Sequence, residues 1–540
     1  MKLFKNNLSG TVSSAALGLF FSLCCVLANL DYFLGLCGSG FLLLLCTAAL
    51  GLAIGAVLFT VYRLLGGLSF SLPEDKPRKN DFRRRLTLFL AAFVVLMGWF
   101  SLWMLYRFPG CMSPDSEWQL VQARGIYPLS NHHPIVHTMI IRLCINLGFL
   151  ISGNPSVALA LYTLVQSAML SACFAYLIVT MYSLRIRLAV IAAVFLSFIL
   201  LPYHATLAVT MLKDVWFSGF VLLLCTTLWR LLYSYEAQGR IYKRDLALLF
   251  VSSLGMCIFR TNGLYAFFLF VPFVFCFFFR KSKAAALLPV LALVLALLIT
   301  GPLYNSLGII PPDTIESLSI PTQHICRAIV EGARLSDEQT ELLGRVMDIS
   351  KVPDIYLGYL SDPVKILVRE TGDLEWLAAN RGEYLKLWLE IGLENPGAYL
   401  RAQIDLTGGY WFPKTDGTVI YPYFSRGDVN TELCLLPAPL AAVLTAMAST
   451  MPQLPVIRYF FSNGAAVWLF LALLGLCAAR KQYSKLLLFV PVLAVWLTLI
   501  IATPLDNEFR YAYSVFTSLP LLLVAPFSHV NNHNDAVISQ

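Results

Sequence analysis

The residues best suited to chemistry lie in one polar segment that follows the third long apolar block of the chain. Asp115 and Glu117 come first, and three histidines follow at His132, His133 and His137. A carboxylate at a membrane surface can act as a general base on a hydroxyl group. Asp and His side chains together could instead bind a divalent cation, although these residues have no fixed ligand spacing. An ordinary polar loop with a Pro-Asp-Ser turn is the third interpretation.

A charged pair, Lys213-Asp214, stands near one end of a later apolar block. The block begins after His204, so a continuous helix would carry the pair about two turns from its start. Charged side chains in such a position usually face the protein interior. Mutual neutralisation, or snorkelling of the lysine toward the headgroups, explains the same residues equally well.

Two more short polar segments each carry an arginine. Arg260 and Asn262 lie in a tight turn between two apolar blocks, where the arginine could bind an anion through two hydrogen bonds. The segment 506–511 could simply begin a helix, and it contains Glu508, Arg510 and Tyr511. Together with Asp115, these segments supply three cations that could hold an anionic lipid headgroup beside a base.

The composition requires a multi-pass membrane protein. Of the 540 residues, 58% are hydrophobic and 13% are charged, whereas a soluble domain carries about 25% charged residues. The net charge of +8 is unevenly distributed, because residues 301–457 have a net charge of −8 and the rest of the chain has +16. We therefore expect an acidic, soluble-like domain inserted in a basic membrane body, and no nucleic-acid partner.

Twelve apolar blocks approach the length that an α-helix needs to cross a bilayer. They lie near residues 11–30, 38–62, 87–106, 156–182, 188–202, 205–233, 245–259, 263–279, 284–300, 458–479, 486–502 and 512–527. The predicted fold class is therefore an all-α polytopic membrane protein with about 12 transmembrane helices. A mostly helical extracytoplasmic domain is inserted before the last three.

The linkers between these blocks alternate between rich and poor in Lys and Arg, which predicts their sides of the membrane. Basic linkers such as 63–86 and 280–283 belong in the cytoplasm, so both termini are expected there and 301–457 outside. Counting the short apolar stretch 137–151 as a span would reverse every later loop. We therefore expect that stretch, which contains Arg142, to lie on or dip into the outer face of the plasma membrane.

These boundaries predict four parts of the chain. They are an N-terminal two-helix hairpin with its basic cytoplasmic loop (1–86), a transmembrane core (87–300) with its first outer loop at 107–155, the extracytoplasmic domain (301–457), and three C-terminal helices with a short cytoplasmic tail (458–540).

The extracytoplasmic segment has the patterns of helices rather than strands. Ser336–Gln339 fits a capping box that opens a short helix, and Pro396 is suited to the first turn of another. The aromatic segment 408–413 suits either a membrane-surface belt, which we favour, or a face on which a sugar stacks. Cys326 and Cys434 could form a disulfide, although spacing alone cannot show it.

The order of the polar segments resembles the GT-C superfamily of integral membrane glycosyltransferases. It looks closest to a bacterial branch distantly related to the protein mannosyltransferase and aminoarabinose transferase families. The ordered motifs are the Asp-Ser ending of 111–116, His-His-Pro-x-x-His-Thr at 132–138, Lys-Asp at 213–214, Arg-Thr-Asn-Gly at 260–263 and Glu-x-Arg-Tyr at 508–511. The resemblance covers roughly residues 85–527 and leaves the first two helices as an addition.

The resemblance implies transfer of a sugar, with inversion, from a polyprenyl-phosphate donor to a cell-envelope glycan, lipid or protein acceptor at the outer face. The catalytic residues it implies are Asp115 as the general base, with His132 and His133. The cations that would bind the donor phosphate are Lys213, Arg260 and Arg510. The supporting residues would be Glu117, His137, Asp214, Asn262, Glu508 and Tyr511.

The resemblance leaves metal dependence open. Some members of the superfamily use a divalent metal, and many of those carry paired acids in the first outer loop. This chain has Asp115, Ser116 and Glu117 there, followed by histidines. A divalent metal is therefore a possible cofactor.

Two other classes of function are also open. One alternative is a multi-pass transporter or lipid flippase of envelope precursors, although such proteins usually have broken helices near the midplane, and mid-membrane acids are scarce here. The other is a structural or assembly protein of the cell envelope, whose acidic external domain 301–457 binds a partner.

Overall fold

The computed structural model describes residues 8–72, 82–415 and 433–528. Within these ranges the chain is helical, and extended segments pair only through isolated bridges. Up to residue 306 the α-helices are α1 (Leu8–Ala28), α2 (Leu30–Cys37), α3 (Gly40–Leu65), α4 (Phe82–Tyr106), α5 (Pro114–Ala123), α6 (Ile135–Ser152), α7 (Pro155–Ser183), α8 (Leu188–Leu200), α9 (Pro202–Ala208), α10 (Lys213–Gln238), α11 (Lys243–Ile258), α12 (Thr261–Phe278), α13 (Lys283–Leu298) and α14 (Tyr304–Ser306).

The remaining helices form a middle group and a C-terminal group. The middle helices are α15 (Thr314–Val330), α16 (Asp337–Val346), α17 (Val352–Ile355), α18 (Asp362–Thr371), α19 (Leu374–Ala379), α20 (Arg381–Glu394) and α21 (Pro396–Thr407). The C-terminal helices are α22 (Ala438–Thr445), α23 (Asn463–Ala479), α24 (Val490–Ala502) and α25 (Phe509–Val524).

Eight of the described helices are long and apolar enough to cross a membrane, and there are nine if the bent pair α8–α9 forms one span. This confirms a multi-pass, all-helical membrane protein. The count of 12 is not confirmed, because α11, α23, α24 and α25 have only 13 to 17 residues. At 1.5 Å per residue such helices are shorter than the hydrocarbon core of about 30 Å.

Helix α6 is one of the eight by length, although the sequence predicts a helix at the outer face. It contacts α7 through His137 and Tyr162, and again where Gly148 packs closely on Ala158. Arg142 on α6 is exposed. The length and hydropathy of α6 are sufficient for a membrane span, so its position at the outer face and the sidedness of the chain stay predictions.

The middle helices, α15 to α21, pack around a hydrophobic core of their own. Its buried residues run from Ile315 to Ala398 and are separate from the core of the membrane helices. The predicted capping box is confirmed, because the Ser336 hydroxyl accepts from the Gln339 backbone and the Gln339 side chain accepts from the Ser336 backbone at 3.0 Å. The helix predicted to begin at Pro396 does so.

The aromatic segment 408–413 is neither a membrane-surface belt nor an open face for a sugar. Tyr410 and Trp411 are buried, because the segment docks on the loop that precedes α25. A backbone N–H of the segment donates to Asp506 at 2.7 Å, and the Lys414 ammonium lies 3.0 Å from the same carboxylate. The middle helices are thus anchored beside the start of α25.

Cys326 and Cys434 are both free thiols, so the possible disulfide between them is not formed. The four-part division of the chain stays a prediction. The N-terminal lysines, part of the basic loop after α3 and the C-terminal tail lie outside the described residues.

Candidate functional site

The site begins with a break in the apolar block 205–233. Helix α9 ends and α10 begins a few residues later, because the residues between them pair with the loop between α4 and α5. Cys111 exchanges two backbone hydrogen bonds with residues 209–211, at 2.8 and 2.9 Å. Lys213 and Asp214 are therefore the first two residues of α10. The prediction that they lie two turns inside a helix is wrong.

One buried side chain stabilises this break. The amide nitrogen of Gln166, on α7, lies 3.3, 3.0 and 2.6 Å from the carbonyl oxygens of Leu207, Ala208 and Thr210. The Leu207 carbonyl also accepts from the Thr210 N–H, and the Ala208 carbonyl also accepts from the Ser167 hydroxyl. The amide adds to these bonds and supplies a donor to the Thr210 carbonyl, which would otherwise be a buried acceptor without its helical partner. It thereby fixes where α10 starts and where the Lys213 side chain can reach.

Asp115 is placed by the short helix α5. Ser113 and Ser116 form the capping box of this helix. The Asp115 carboxylate accepts hydrogen bonds from Lys213 at 2.6 Å and from Arg510 at 2.9 Å. The three side chains remain 26%, 12% and 18% exposed, respectively. Asp115, Lys213 and Arg510 therefore form an ion-pair triad that solvent can reach.

Charge sets the protonation of the triad and of the neighbouring histidine. Burial raises the pKa of the Asp115 carboxyl, but Lys213 and Arg510 oppose it and hold that pKa well below its ordinary value. The Lys213 ammonium donates to His133 Nδ1 at 3.3 Å. Burial and that ammonium lower the pKa of His133 to about 2, so His133 is a neutral acceptor at physiological pH. His132 is exposed, and its ring centre lies 4.6 Å from that of His133.

A second ion pair of the site is buried. Asp214 and Arg260 approach to 2.6 Å, with side-chain exposures of 1% and 9%. The contact lacks hydrogen-bond geometry, and neither oxygen of the Asp214 carboxylate has a hydrogen-bond partner among the described residues. The Tyr511 ring links the buried pair to the triad, because Arg260 lies 4.7 Å and Arg510 lies 5.2 Å from its centre.

Glu508 completes the network around Arg510. Its carboxylate lies 3.1 Å from Arg510 Nε, on a different donor from the Nη1 that Asp115 uses. Burial raises the pKa of the Glu508 carboxyl, although the charge of Arg510 lowers it in part. Arg510 thus lies between two carboxylates, one from its near neighbour Glu508 and one from the distant Asp115.

Three predicted site residues besides the exposed His132 make no hydrogen bond or ion pair with this network. His137 is fully buried, and its ring nitrogens bond to Gln119 at 2.9 Å and to Tyr162 at 2.6 Å. It therefore holds α6 against α5 and α7 rather than facing a substrate. Glu117 is exposed on α5, and Asn262 is half-buried in the first turn of α12. Among the hydrogen bonds and ion pairs of the described residues, neither reaches the triad.

Sequence reasoning missed the buried polar residues behind the site. Tyr162 and Gln166 lie one turn apart on α7, and the Tyr162 hydroxyl donates to Gln166 at 2.7 Å and accepts from Trp216 at 3.2 Å. A glutamine in an apolar helix is itself a signal, because polar groups inside a membrane are expensive and usually functional. No sequence pattern indicated that its partners would be backbone carbonyls at the break between α9 and α10.

The charges around Asp115 do not suit a divalent cation. Two cations lie within 3 Å of its carboxylate and would repel a metal ion. In the described parts of the chain, no group of three or more His, Cys, Asp or Glu side chains is arranged to hold a metal. The chemistry that the site can perform therefore rests on its acids, cations and histidine.

Comparison with protein families gives one match. The model of a family of unknown function, DUF6020, matches residues 124–539, about three quarters of the chain. The chain belongs to the DUF6020 family. No curated protein and no solved structure matches it. In this DUF6020 protein the matched range includes Lys213, Arg260 and Arg510, whereas Asp115 precedes it.

Proposed function

We propose that this DUF6020 protein is a membrane glycosyltransferase. It transfers a sugar from a polyprenyl-phosphate donor to a hydroxyl of a cell-envelope glycan, lipid or protein, with inversion, at the outer face of the plasma membrane. The observation that carries the proposal is the ion-pair triad. One carboxylate lies within hydrogen-bond distance of two partly exposed cations, which supplies a base and a phosphate-binding group in one place.

The residues of the triad divide the reaction between them. Asp115 takes the proton of the acceptor hydroxyl while the acceptor oxygen bonds to the anomeric carbon. The bond between that carbon and the donor phosphate oxygen breaks at the same time. Lys213 and Arg510 stabilise the charge that develops on the departing polyprenyl phosphate. Attack from the face opposite the leaving group inverts the anomeric centre.

Arg260 acts as a positioning residue in this reaction rather than as a phosphate ligand. Its charge is already matched by the buried carboxylate of Asp214. Removing one partner of such a buried pair costs about 3–5 kcal/mol, because the other charge is left unmatched. Through the Tyr511 ring, Arg260 also supports the position of Arg510.

An apolar groove suits the lipid part of such a donor. It has a volume of about 720 Å³ and lies between α8, α23 and α25. Tyr203 and Phe516 line the groove, and their ring centres lie 5.1 and 4.3 Å from that of Phe509. Phe509 directly precedes Arg510 in α25, so these aromatic contacts connect the groove with the helical turn that carries Arg510.

The proposal is tested with the full-length protein in lipid nanodiscs, supplied with radiolabelled sugars on polyprenyl phosphate and with envelope acceptors. We expect Asp115→Asn to reduce product formation by roughly 100-fold or more in protein that still unfolds cooperatively above the assay temperature. Glu370→Gln, which removes an exposed carboxylate from α18, should retain full activity. Full activity of Asp115→Asn would show that Asp115 is not the base, and a wild type that forms no product with any donor would count against the function.

A lipid flippase is the second candidate, because one observation favours it. Helices α8 and α9 form a span bent by 57°, and the break at 209–212 follows directly. Broken helices beside polar residues are typical of transporters. Movement of a labelled lipid-linked sugar across a vesicle membrane, without any covalent product, would favour the flippase over the transferase.

A further inference from the structure

The charged groups of the site are fully paired with one another. Asp115 binds Lys213 and Arg510, Glu508 lies against Arg510, and Asp214 lies against Arg260. Every cation of the site therefore already has an anion as its partner, although the proposed substrate is itself an anion. A phosphate that takes the donors now used by these carboxylates must displace one of them.

The burial of the pairs shows which carboxylate can be displaced. Asp214 and Arg260 are buried, and separating them would leave two unmatched charges in the protein interior. The triad of Asp115, Lys213 and Arg510 is partly exposed. An incoming anion can therefore compete for Lys213 and Arg510, and its competitor is Asp115.

We propose that Asp115 is a built-in counter-ion that occupies the position of a phosphoryl group. A phosphate monoester or diester replaces the carboxylate on Lys213 and Arg510, and the displaced carboxylate is then released from both cations. In the proposed transferase this release leaves Asp115 able to accept the acceptor's proton. That last step rests on the proposed function, whereas the exchange of anions does not.

Neighbouring residues hold the two cations during the exchange. Glu508 engages Nε of Arg510, while Asp115 engages Nη1. The guanidinium group is planar and rigid, so Nη1 keeps its direction after Asp115 leaves. The Lys213 ammonium also keeps one contact after Asp115 leaves, because it donates to His133 Nδ1 at 3.3 Å. The vacated position thus keeps two donors directed at it.

The exchange predicts that removing a negative charge from the site strengthens anion binding. The full-length protein in zwitterionic nanodiscs is titrated with inorganic phosphate and with decyl phosphate, and heat is measured by calorimetry. We expect Asp115→Asn and Asp115→Ala to bind decyl phosphate roughly tenfold more tightly than wild type. Lys213→Gln should bind it more weakly than wild type. Glu370→Gln removes the same charge from an exposed site and should bind like wild type.

Equal or weaker binding by both Asp115 variants would overturn the exchange, because Asp115 would then be holding the cations in place for the ligand. Using two variants guards against a folding defect in one of them. Tighter binding of both probes identifies the phosphoryl group as the recognised chemistry, and tighter binding of decyl phosphate alone identifies a lipid phosphate. If the Asp115 variants bind more tightly but the wild type forms no glycosyl product with any donor, the exchange of anions is supported and the proposed function is rejected.

Discussion

At the residue scale, burial decides what three neighbouring histidines can do. His132 is exposed, His133 accepts from a lysine, and His137 lies buried between Gln119 and Tyr162. We expect His137→Leu to lower the free energy of unfolding by about 2–3 kcal/mol, because both buried partners lose a hydrogen bond. His132→Leu should change it by less than about 0.5 kcal/mol. Thermal unfolding of the two variants in the same detergent measures the difference, and equal effects would contradict the assignment.

The protonation of Asp115 gives a second residue-scale prediction. The pKa of Asp115 is lower in the folded protein than in the unfolded chain, where it is about 4. Its ion pairs therefore stabilise the fold fully above about pH 4. This stabilisation is lost as the pH falls from there through the pKa of the folded protein. Lys213→Met should raise this pKa, because the largest charge that opposes burial is then removed. We expect the variant to melt below wild type at about pH 7, and the gap to narrow as the pH is lowered from about 4 toward the wild-type pKa, because Asp115 gains its proton first in the variant.

A melting-temperature gap that stays constant over that range would show that Lys213 does not set the pKa of Asp115. Lys386→Met is the matched control, because Lys386 is an exposed lysine on α20 paired with Glu390 at 3.5 Å. Surface pairs of this kind contribute little, so the control should follow the wild-type melting curve.

At the scale of elements, the break before α10 depends on Gln166. Gln166→Leu leaves the carbonyls of the break without their amide partner, which should lower the free energy of unfolding by about 1–3 kcal/mol. It should also weaken decyl phosphate binding, because the start of α10 positions Lys213. The control is Gln238→Leu, which changes an exposed glutamine at the C-terminal end of α10. It should change neither the free energy of unfolding nor the binding of decyl phosphate. Melting curves and calorimetry on both variants test the two effects together.

The turn between α11 and α12 gives a second prediction at this scale. A Cβ on Gly263 would lie 2.2 Å from the Met256 carbonyl oxygen and 2.5 Å from the Phe217 ring. Gly263→Ala should therefore shift the turn that carries Arg260 and lower the free energy of unfolding by about 1–3 kcal/mol. Gly98→Ala, on α4, meets open space and should be neutral or slightly stabilising. Similar melting temperatures for the two variants would contradict the close packing at the turn.

At the scale of the whole molecule, the sidedness of the membrane body depends on α6. If α6 lies at the outer surface, residue 154 between α6 and α7 faces outside, as 301–457 is predicted to do. If α6 crosses the membrane, the same residue faces the cytoplasm. We expect Asn154→Cys to react with a membrane-impermeant maleimide added outside intact cells, as Glu370→Cys should. Both variants are made after the exposed Cys46, Cys276 and Cys434 are replaced by serine.

Local features of the fold were predicted from the sequence, and contacts over long sequence separations were not. The capping box at Ser336 and the helix start at Pro396 depend on neighbouring residues, and both predictions are confirmed. The candidate residues named from the sequence included all three members of the triad. The sequence did not show that they contact one another, because positions 115, 213 and 510 are far apart in the chain. No local pattern shows which of three cations is exposed and which is matched by a buried carboxylate.

The sequence by itself determined a helical, multi-pass membrane protein and the residue types available for chemistry, because hydrophobicity and caps act over a few neighbouring residues. Only the tertiary structure decided that the mostly apolar residues 209–212 leave the helix and that Asp115 meets Lys213 and Arg510. Apolar residues suit a membrane helix and a buried extended segment equally well. The choice between the two depends on whether distant groups, here Gln166 and the backbone of Cys111, satisfy the exposed carbonyls and N–H groups.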